Sequence, residues 1–457
     1  MFGTSGIRGE VGVDVTAATA LGVGRAVATE GAERVVVGRD PRESGTVLTD
    51  ALVAGLRECG ADAVRLGEVS TPTVARAVGW YDADAGVTVT ASHNPPADNG
   101  LKLWDDDGAA YVGARQEAVA ERVRSGEFAL EPWDGIGGVE RVEDAADRHV
   151  GELVAAGEPL DGLTVAVDPG NGSGRLTATA LHRLGANVET LNAEPDGSFP
   201  GRPSEPTAEN CRSLCLFTGA TDADLGIAHD GDADRMLAVT GTGEFVTGDA
   251  LLALFARDAV EPGERVAAPI NTSMAVRRAL EDVGASLTLT AVGDGHVAER
   301  AADPSVAFGG EPSGAWIWPD AVRAPDGPLA AVRLASMVAQ RGSLSDQLST
   351  VETTPLRRES VRTGRNGEVA DAVVDAVGDR YDAVTAIDGV RVDVDDGWFL
   401  VRASGTEPLV RVTAEAEEEG RTAELFSEAA GLVEDALELV EGERPDAPDA
   451  RADGGRP

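Results

Sequence analysis

The sequence predicts an α/β fold of several modules, on three observations. Short β-branched runs recur along the chain, at Val35–Val37, Val87–Thr90, Val165–Val167, Leu225–Ala228 and Val306–Phe308, each entering a loop rich in Gly, Asp or Pro. With helix-like stretches between them, this is the pattern of parallel α/β units. At 457 residues the chain has room for about three domains of roughly 150 residues, each long enough to close its own core. Finally, 42% apolar and 4% aromatic residues is the composition of a folded chain, not of a disordered acidic one.

Residues 46–59 place Leu48, Leu52 and Leu56 at i, i+4 and i+8 on one helical face, and Cys59-Gly60 supplies the stop. In sheets of this kind ligands gather beyond the carboxyl ends of the strands, where the loops sit. Asp168–Gly174 follows a strand with glycine-x-glycine spacing, but its third glycine comes one residue too early for a dinucleotide fingerprint. From about residue 355 the pattern changes. Val390–Val394, Trp398–Arg402 and Leu409–Val412 read as neighbouring strands and 421–441 as an Ala/Glu/Leu-rich helix, together an α+β module. Gly442 to Pro457, without periodicity, reads as a disordered tail.

The charge balance is 39 basic against 79 acidic residues, a net −40. Such an excess repels a phosphate backbone and no basic stripe interrupts it, so a nucleic-acid partner is excluded. Of the 39 basic residues one, Lys102, is a lysine and the other 38 are arginines. Carboxylates that keep a surface hydrated while salt screens their repulsion suit a salt-rich cytosol, and a halophilic host is the expectation. Cys59, Cys211 and Cys215 are too few for a disulfide framework and have no partners for a zinc site, so they read as buried structural thiols. The N-terminus lacks a signal-peptide pattern and no run approaches 18 apolar residues. A cytoplasmic protein with no membrane partner is expected, as monomer or homodimer.

Three constellations carry chemistry. Asp230-Gly231-Asp232-Ala233-Asp234-Arg235 sets three carboxylates at alternate positions after a strand; in extended chain they point the same way and converge on one hard cation. A calcium loop needs Gly at its sixth and Glu at its twelfth position, where this chain has Arg235 and Gly241; the remaining rival is a solvated acidic turn. In Thr90–Pro96, a serine at a strand tip, followed by prolines that stop the chain continuing, presents its hydroxyl outward. That suits a phosphorylated or nucleophilic Ser92, against a polar turn using Ser and Asn locally. Lys102 follows it. In a chain that uses arginine elsewhere, the retained ammonium is expected to move a proton, since burial can bring only a lysine into range. No Gly-Lys-Ser/Thr phosphate loop surrounds it. Third, Arg402-Ala403-Ser404-Gly405-Thr406-Glu407-Pro408, with Arg411 beyond, flanks a hydroxyl-rich turn with two guanidiniums, a phosphate cradle. The Gly310–Gly314 turn offers a carboxylate and a hydroxyl for sugar hydroxyls or for shaping the turn.

Taken together, Phe2–Gly9, Val37–Asp40, Thr90–Pro95, Asp230–Arg235, Gly310–Gly314 and Arg402–Pro408 resemble, in order and over nearly the whole chain, the α-D-phosphohexomutase family, the phosphoglucosamine mutase, phosphomannomutase and phosphoglucomutase group. The resemblance implies a four-domain, heart-shaped enzyme with three related α/β domains and a smaller C-terminal α+β domain. The boundaries it suggests are 1–137, 138–245, 246–352 and 353–441, with a tail at 442–457. It implies a phosphoserine at Ser92, Mg²⁺ held by Ser92, Asp230, Asp232 and Asp234, and catalytic parts for Lys102, Arg8 and His93. Arg235, Gly293, Glu311, Ser313, Arg402, Ser404, Gly405, Thr406 and Arg411 are implied to bind the substrate, a small-molecule sugar phosphate.

The implied reaction interconverts hexose 1- and 6-phosphates through a 1,6-bisphosphate, with glucosamine slightly ahead of mannose or glucose. Two departures bear on the sugar. Asp294 stands where some mannose and glucose members carry His, and Ala315 replaces the His that commonly ends the sugar loop. A phosphosugar hydrolase and a non-catalytic sugar-phosphate sensor on the same scaffold are the competing readings.

Overall fold

The structure, a computed structural model, describes residues 6–378, 380–381, 383–405 and 408–442, with side chains to 440. The chain divides into two units, Met1–Glu352 and Thr353–Pro457.

In the first unit, β1 (Ile7–Glu10), β2 (Arg34–Arg39), β3 (Asp62–Glu68), β4 (Ala85–Val89), β5 (Asp98–Trp104) and β6 (Val139–Arg141) form one sheet in the order β1-β5-β4-β2-β3-β6. Val35, Val36 and Val37 of β2 are fully buried at its centre. Its helices are α1 (Ala17–Thr29), α2 (Gly45–Glu58), α3 (Thr71–Trp80) and α4 (Gly113–Ser125). The helix expected over 46–59 is α2; Leu48, Leu52 and Leu56 are buried and Cys59 caps it. β6 lies within the stretch assigned from sequence to the second module, yet it pairs with β3 and belongs to the first sheet.

After α5 (Ala145–Ala156), a second sheet is built from β7 (Thr164–Asp168), β8 (Asn187–Thr190), β9 (Leu225–His229) and β10 (Met236–Thr240), with α6 (Arg175–Arg183) and α7 (Arg212–Ala220), in the order β10-β9-β7-β8. The third sheet is built from β11 (Arg265–Pro269), β12 (Ser286–Thr290), β13 (Val306–Gly310) and β14 (Trp316–Ile317), in the order β12-β11-β13-β14. Its helices are α8 (Gly248–Asp258), α9 (Met274–Glu281), α10 (Asp294–Arg300), α11 (Gly327–Arg341) and α12 (Leu344–Leu348).

The second unit holds β15 (Leu356–Arg362), α13 (Asn366–Gly378), β16 (Val384–Thr385), β17 (Val390–Val394), β18 (Gly397–Ala403), β19 (Leu409–Ala416) and α14 (Glu419–Gly442). Its sheet is antiparallel throughout, in the order β15-β19-β18-β17-β16. The strands and final helix expected beyond residue 355 are all present. Gly442 closes α14, and the rest of the expected tail lies outside the described residues.

Three expectations are corrected. The α/β sheets are mixed, not parallel: β2, β7 and β11 pair in parallel with their neighbours, whereas β4–β5, β9–β10 and β13–β14 are antiparallel. The loops 90–97, 230–235 and 311–315 are too short for a parallel crossover, which takes a dozen or more residues, so each is a hairpin tip at the carboxyl end of a buried strand. Nor does each module close its own core. One apolar cluster runs from Val150 to Val351 and joins the second and third sheets through α8 and α11. And of the three thiols, all free, Cys211 is buried while Cys59 and Cys215 are half-buried.

A buried polar junction ties the sheets of this unit together. Asp326 caps α11 by accepting from Leu329 N at 2.9 Å, accepts from Arg76 Nε of α3 at 2.8 Å, and lies 3.2 Å from His149 Nε2 of α5. Next to it, Gly327 packs so closely on the 230–235 loop that a Cβ there would meet the Arg235 carbonyl at 2.5 Å. Among the described residues no helix is long and apolar enough to cross a membrane.

Candidate active site

Ser92 sits in the tip between β4 and β5 with a φ of +50°, in the left-handed region a serine rarely adopts. Its side chain is not presented outward as expected but is fully buried, and Oγ donates to Asp230 Oδ2 at 2.6 Å. What holds this conformation is Arg42. Its guanidinium, itself 1% exposed, donates to the carbonyls of Ser92 (2.8 Å), Asn94 (2.7 Å), Pro95 (2.6 Å) and Asp98 (2.8 Å) and to Asp40 Oδ2 at 3.0 Å. Asp40 also accepts from Thr90 Oγ1 at 2.7 Å, and Thr90 Oγ1 accepts from Ser92 N at 2.8 Å. Burial pushes the Asp40 carboxyl up to about 6, against the opposing pull of Arg42 and Thr90. Arg42 carries no signal in the sequence beyond following the Gly38-Arg39-Asp40 motif; a planar fork of five donors is what lets one side chain gather four carbonyls.

The 230–235 tip brings its three carboxylates together, with oxygens within 4.8 Å of one another. The cause is not the alternation of an extended strand: residues 231–234 form a turn, with Ala233 at a φ of +59°. Gly231 is required, because a Cβ would lie 2.6 Å from the Ser92 carbonyl. Asp230 Oδ1 accepts from Arg235 N at 3.2 Å, Asp232 Oδ2 from Thr71 Oγ1 at 2.6 Å and Asp234 Oδ2 from Lys102 Nζ at 3.2 Å. Asp232 Oδ1 and Asp234 Oδ1 are buried with no hydrogen-bond partner among the described residues. Burial, then mutual repulsion, raises the Asp230 and Asp234 carboxyls above their ordinary range. Unpaired carboxylate oxygens out of water are costly, and an all-oxygen set of this size fits a hard divalent cation such as Mg²⁺.

Lys102 projects from β5 and is 2% exposed. Its Nζ donates to Asp234 Oδ2 and, at 2.5 Å, to Asp294 Oδ2, and it lies 4.8 Å from the centroid of the Trp104 ring. Burial alone would lower its pKa, the shift expected from the sequence; Asp294 and Asp234 outweigh it and raise the pKa above the ordinary lysine value. The direction of the shift is therefore the reverse of the one burial alone would give, and with these two carboxylates beside it the group is held as an ammonium. Burial pushes the Asp294 carboxyl up, but Lys102 outweighs it and holds Asp294 down at about 2.

The 311–315 tip is tied to the start of α10: Glu311 Oε1 accepts from Gly293 N at 2.8 Å and Oε2 from Ser313 Oγ at 3.2 Å. Burial, with Asp294 nearby, raises the Glu311 carboxyl. Arg235 bridges to Ala315 and lies 3.8 Å from Glu205. His93 Nδ1 is 3.3 Å from Ser92 Oγ, and Arg235 first, then burial and Arg8, lower its pKa strongly, so the ring is neutral. Arg8 pairs with Gly100 across β1 and β5. The first unit thus gathers Ser92, His93, Lys102, Arg8, Asp230, Asp232, Asp234, Arg235, Gly293, Glu311 and Ser313.

The supporting residues Arg42, Asp40, Thr71 and Asp294 were not singled out for these roles by the sequence, since each acts across a long stretch of chain. Ser204 Oγ, 3.3 Å from the Ser92 carbonyl, and Arg202, which donates to the His229 carbonyl at 2.6 Å, belong with them. The Asp168–Gly174 loop is a support as well: Asp168 pairs with Arg202 at 2.8 Å and Ser173 N donates to the Gly231 carbonyl at 3.0 Å.

In the second unit, Arg402 and Arg411 stand directly opposite each other across β18 and β19. Like charges so placed repel; Asp388 offsets Arg402 at 3.3 Å. Ser404 N donates to the Leu409 carbonyl at 2.8 Å and the Ser404 carbonyl accepts from Asn366 Nδ2 at 2.9 Å, fixing the turn entering Gly405. Thr406 lies outside the described residues.

Four family models match the chain: phosphoglucomutase/phosphomannomutase alpha/beta/alpha domain I over residues 1–130, domain II over 148–243, domain III over 247–354, and the C-terminal domain over 362–432. The chain is 44% identical to a probable phosphoglucosamine mutase of Methanopyrus kandleri, over 96% of this chain and 99% of the relative. It is 41% identical to a probable phosphoglucosamine mutase of Methanothermobacter thermautotrophicus, over 96% and 98%. Its fold matches a crystal structure of a phosphoglucomutase/phosphomannomutase family protein from Burkholderia thailandensis with a TM-score of 0.85 at 29% identity, covering 96% and 98% of the two chains.

Proposed function

The chain belongs to the phosphoglucomutase/phosphomannomutase family and is a phosphosugar mutase, an isomerase, and from that premise we propose that it interconverts a hexose 1-phosphate and its 6-phosphate through a phosphoserine at Ser92 and a 1,6-bisphosphate. The relatives named probable phosphoglucosamine mutase favour glucosamine over mannose and glucose. The observation that carries the reading is the 2.6 Å contact of Ser92 Oγ with Asp230 inside a buried trio of carboxylates.

Asp230, Asp232 and Asp234, with the phosphate on Ser92, are the residues that would hold Mg²⁺. When bound, that ion supplies a Lewis acid that offsets phosphoryl charge. Phosphoryl transfer depends on positioning and charge neutralisation more than on covalent chemistry, and the side chains supply both. The phosphorus–oxygen bond to Ser92 breaks as a sugar hydroxyl oxygen bonds to phosphorus, and the hydroxyl proton passes in net to the departing Ser92 oxygen, restoring the serine hydroxyl. Arg8, Arg235 and Lys102 offset the charge on the phosphoryl oxygens. Lys102, held as an ammonium, donates a hydrogen bond to the phosphoryl group. Neutral His93, 3.3 Å from Ser92 Oγ, takes a hydrogen bond from the freed serine hydroxyl. Glu311 and Ser313 are suited to sugar hydroxyls, and the Arg402–Arg411 loop, with its two guanidiniums, to a phosphate. The bisphosphate then reverses and returns its other phosphoryl to Ser92.

Phosphorus NMR of glucosamine 6-phosphate with the full chain, Mg²⁺ and a trace of hexose 1,6-bisphosphate in high salt tests the reading. A growing 1-phosphate signal without inorganic phosphate is expected, and loss of it in Ser92→Ala. Inorganic phosphate rising in step with substrate loss would replace the mutase by a phosphosugar hydrolase. A kcat/KM tenfold higher for mannose, glucose or pentose phosphate would overturn the choice of sugar.

A further inference from the structure

Resting on that reading of the site, we propose that Asp294 is a positioning residue: it draws the Lys102 ammonium off Asp234, so that the carboxylate trio stays open for a divalent cation and Lys102 keeps a donor for the phosphoryl group.

The geometry around Nζ is uneven. Lys102 donates to Asp294 Oδ2 at 2.5 Å and to Asp234 Oδ2 at 3.2 Å, and its head lies over Trp104 at 4.8 Å from the ring centroid. An ammonium has three donors and no acceptor, so these two carboxylates leave one N–H for a third oxygen. All four groups are buried: Lys102 at 2%, Trp104 at 0%, Asp234 at 4% and Asp294 at 7% exposure. Out of bulk solvent, the flexible four-carbon stem goes where charge draws it. Within its reach Asp234 offers Oδ1, a buried oxygen without a hydrogen-bond partner among the described residues. Lacking Asp294, the ammonium would close on Asp234 through both oxygens and occupy with an internal cation the carboxylate a metal needs. Asp294 is itself fixed, because the preceding Gly293 N–H is anchored 2.8 Å from Glu311 Oε1. The pair also joins β5 of the first sheet to α10 of the third, so the sugar-loop side of the cleft sets the position of the lysine on the phosphoserine side.

The test is a double-mutant cycle read in two ways. Asp294→Asn keeps the shape and removes the charge, Asp294→Glu restores it, and Lys102→Met removes the ammonium. Titration of the unphosphorylated full chain with Mn²⁺, followed by electron paramagnetic resonance, needs no substrate. Asp294→Asn is expected to weaken Mn²⁺ binding about tenfold, Asp294→Glu to recover most of it, and Asp294→Asn in the Lys102→Met background to change it less than twofold. In turnover, Asp294→Asn is expected to lower kcat about 30-fold with KM within threefold. Unchanged Mn²⁺ affinity in Asp294→Asn, or the same loss with and without Lys102, overturns the proposal. A wild-type chain that shows the metal coupling but turns over no hexose phosphate keeps Asp294 in this role and overturns the mutase reading instead.

Discussion

The Ser92 carbonyl lies 2.6 Å from the point where a side chain on residue 231 would begin, so the serine loop and the carboxylate loop touch backbone to backbone. One methyl group is therefore enough to separate them. Gly231→Ala is expected to lower kcat by about 100-fold or more, the effect of a displacement of about 1 Å at a reacting centre. Steady-state kinetics beside a melting curve will check it; a variant with wild-type kcat would mean the loops tolerate separation.

Arg42 gathers four carbonyls of the serine loop with one buried guanidinium. Lysine at this position keeps the charge beside Asp40 but loses the fork, leaving buried carbonyls without donors. Arg42→Lys is expected to destabilise the first unit by about 3 kcal/mol and to lower activity per folded molecule at least tenfold. Urea unfolding and active-site phosphorylation, measured on the same preparation, separate the two effects.

Carboxylates that repel each other without a metal trade stability for binding. In the presence of a chelator, Asp230→Asn is expected to be more stable than wild type by about 1 kcal/mol, since a neutral amide replaces a buried like charge. With Mg²⁺ at a hundred times its dissociation constant, the wild type gains about 2.7 kcal/mol and the order reverses. Thermal melts of both proteins with and without Mg²⁺ give the answer; a wild type whose melting temperature ignores the ion would contradict the site.

Asp326 gives the first unit an acid limit. Burial pushes this carboxyl up, but Arg76 and His149 outweigh it and hold it below the ordinary range. A carboxylate depressed in the folded state stabilises above its unfolded pKa of about 4 and loses that contribution as pH falls below it. Asp326→Asn is expected to cost about 3 kcal/mol at pH 7, leaving Arg76 short of a buried partner, and progressively less below pH 4. Urea midpoints across pH 3 to 7 will show whether the two curves converge.

Much of this site was legible because its chemistry is local in sequence. Ser92 and the three aspartates sit within a few residues of strand ends, and hairpin tips place them where short loops must. The reason for the aspartates' convergence was misread, since a turn with Ala233 in the left-handed region does what an extended strand would have done. The roles of Arg42 and Asp294 were invisible for another reason. Their partners lie 50 and 192 residues away, at Ser92 and Lys102, and no periodicity records such contacts. The direction of the Lys102 shift was misjudged by the same gap, as burial lowers a lysine pKa only when no carboxylate follows it inside.

The apolar cluster from Val150 to Val351 has a consequence for inheritance and dissection. With α8 and α11 filling both sheets, the carboxylate tip and the 311–315 tip stand or melt as one cooperative block. A cut near residue 245 would strip each half of its neighbour's wall, and neither fragment would keep a protected amide core on its own. The two loops can vary in sequence separately, but they cannot be exchanged separately.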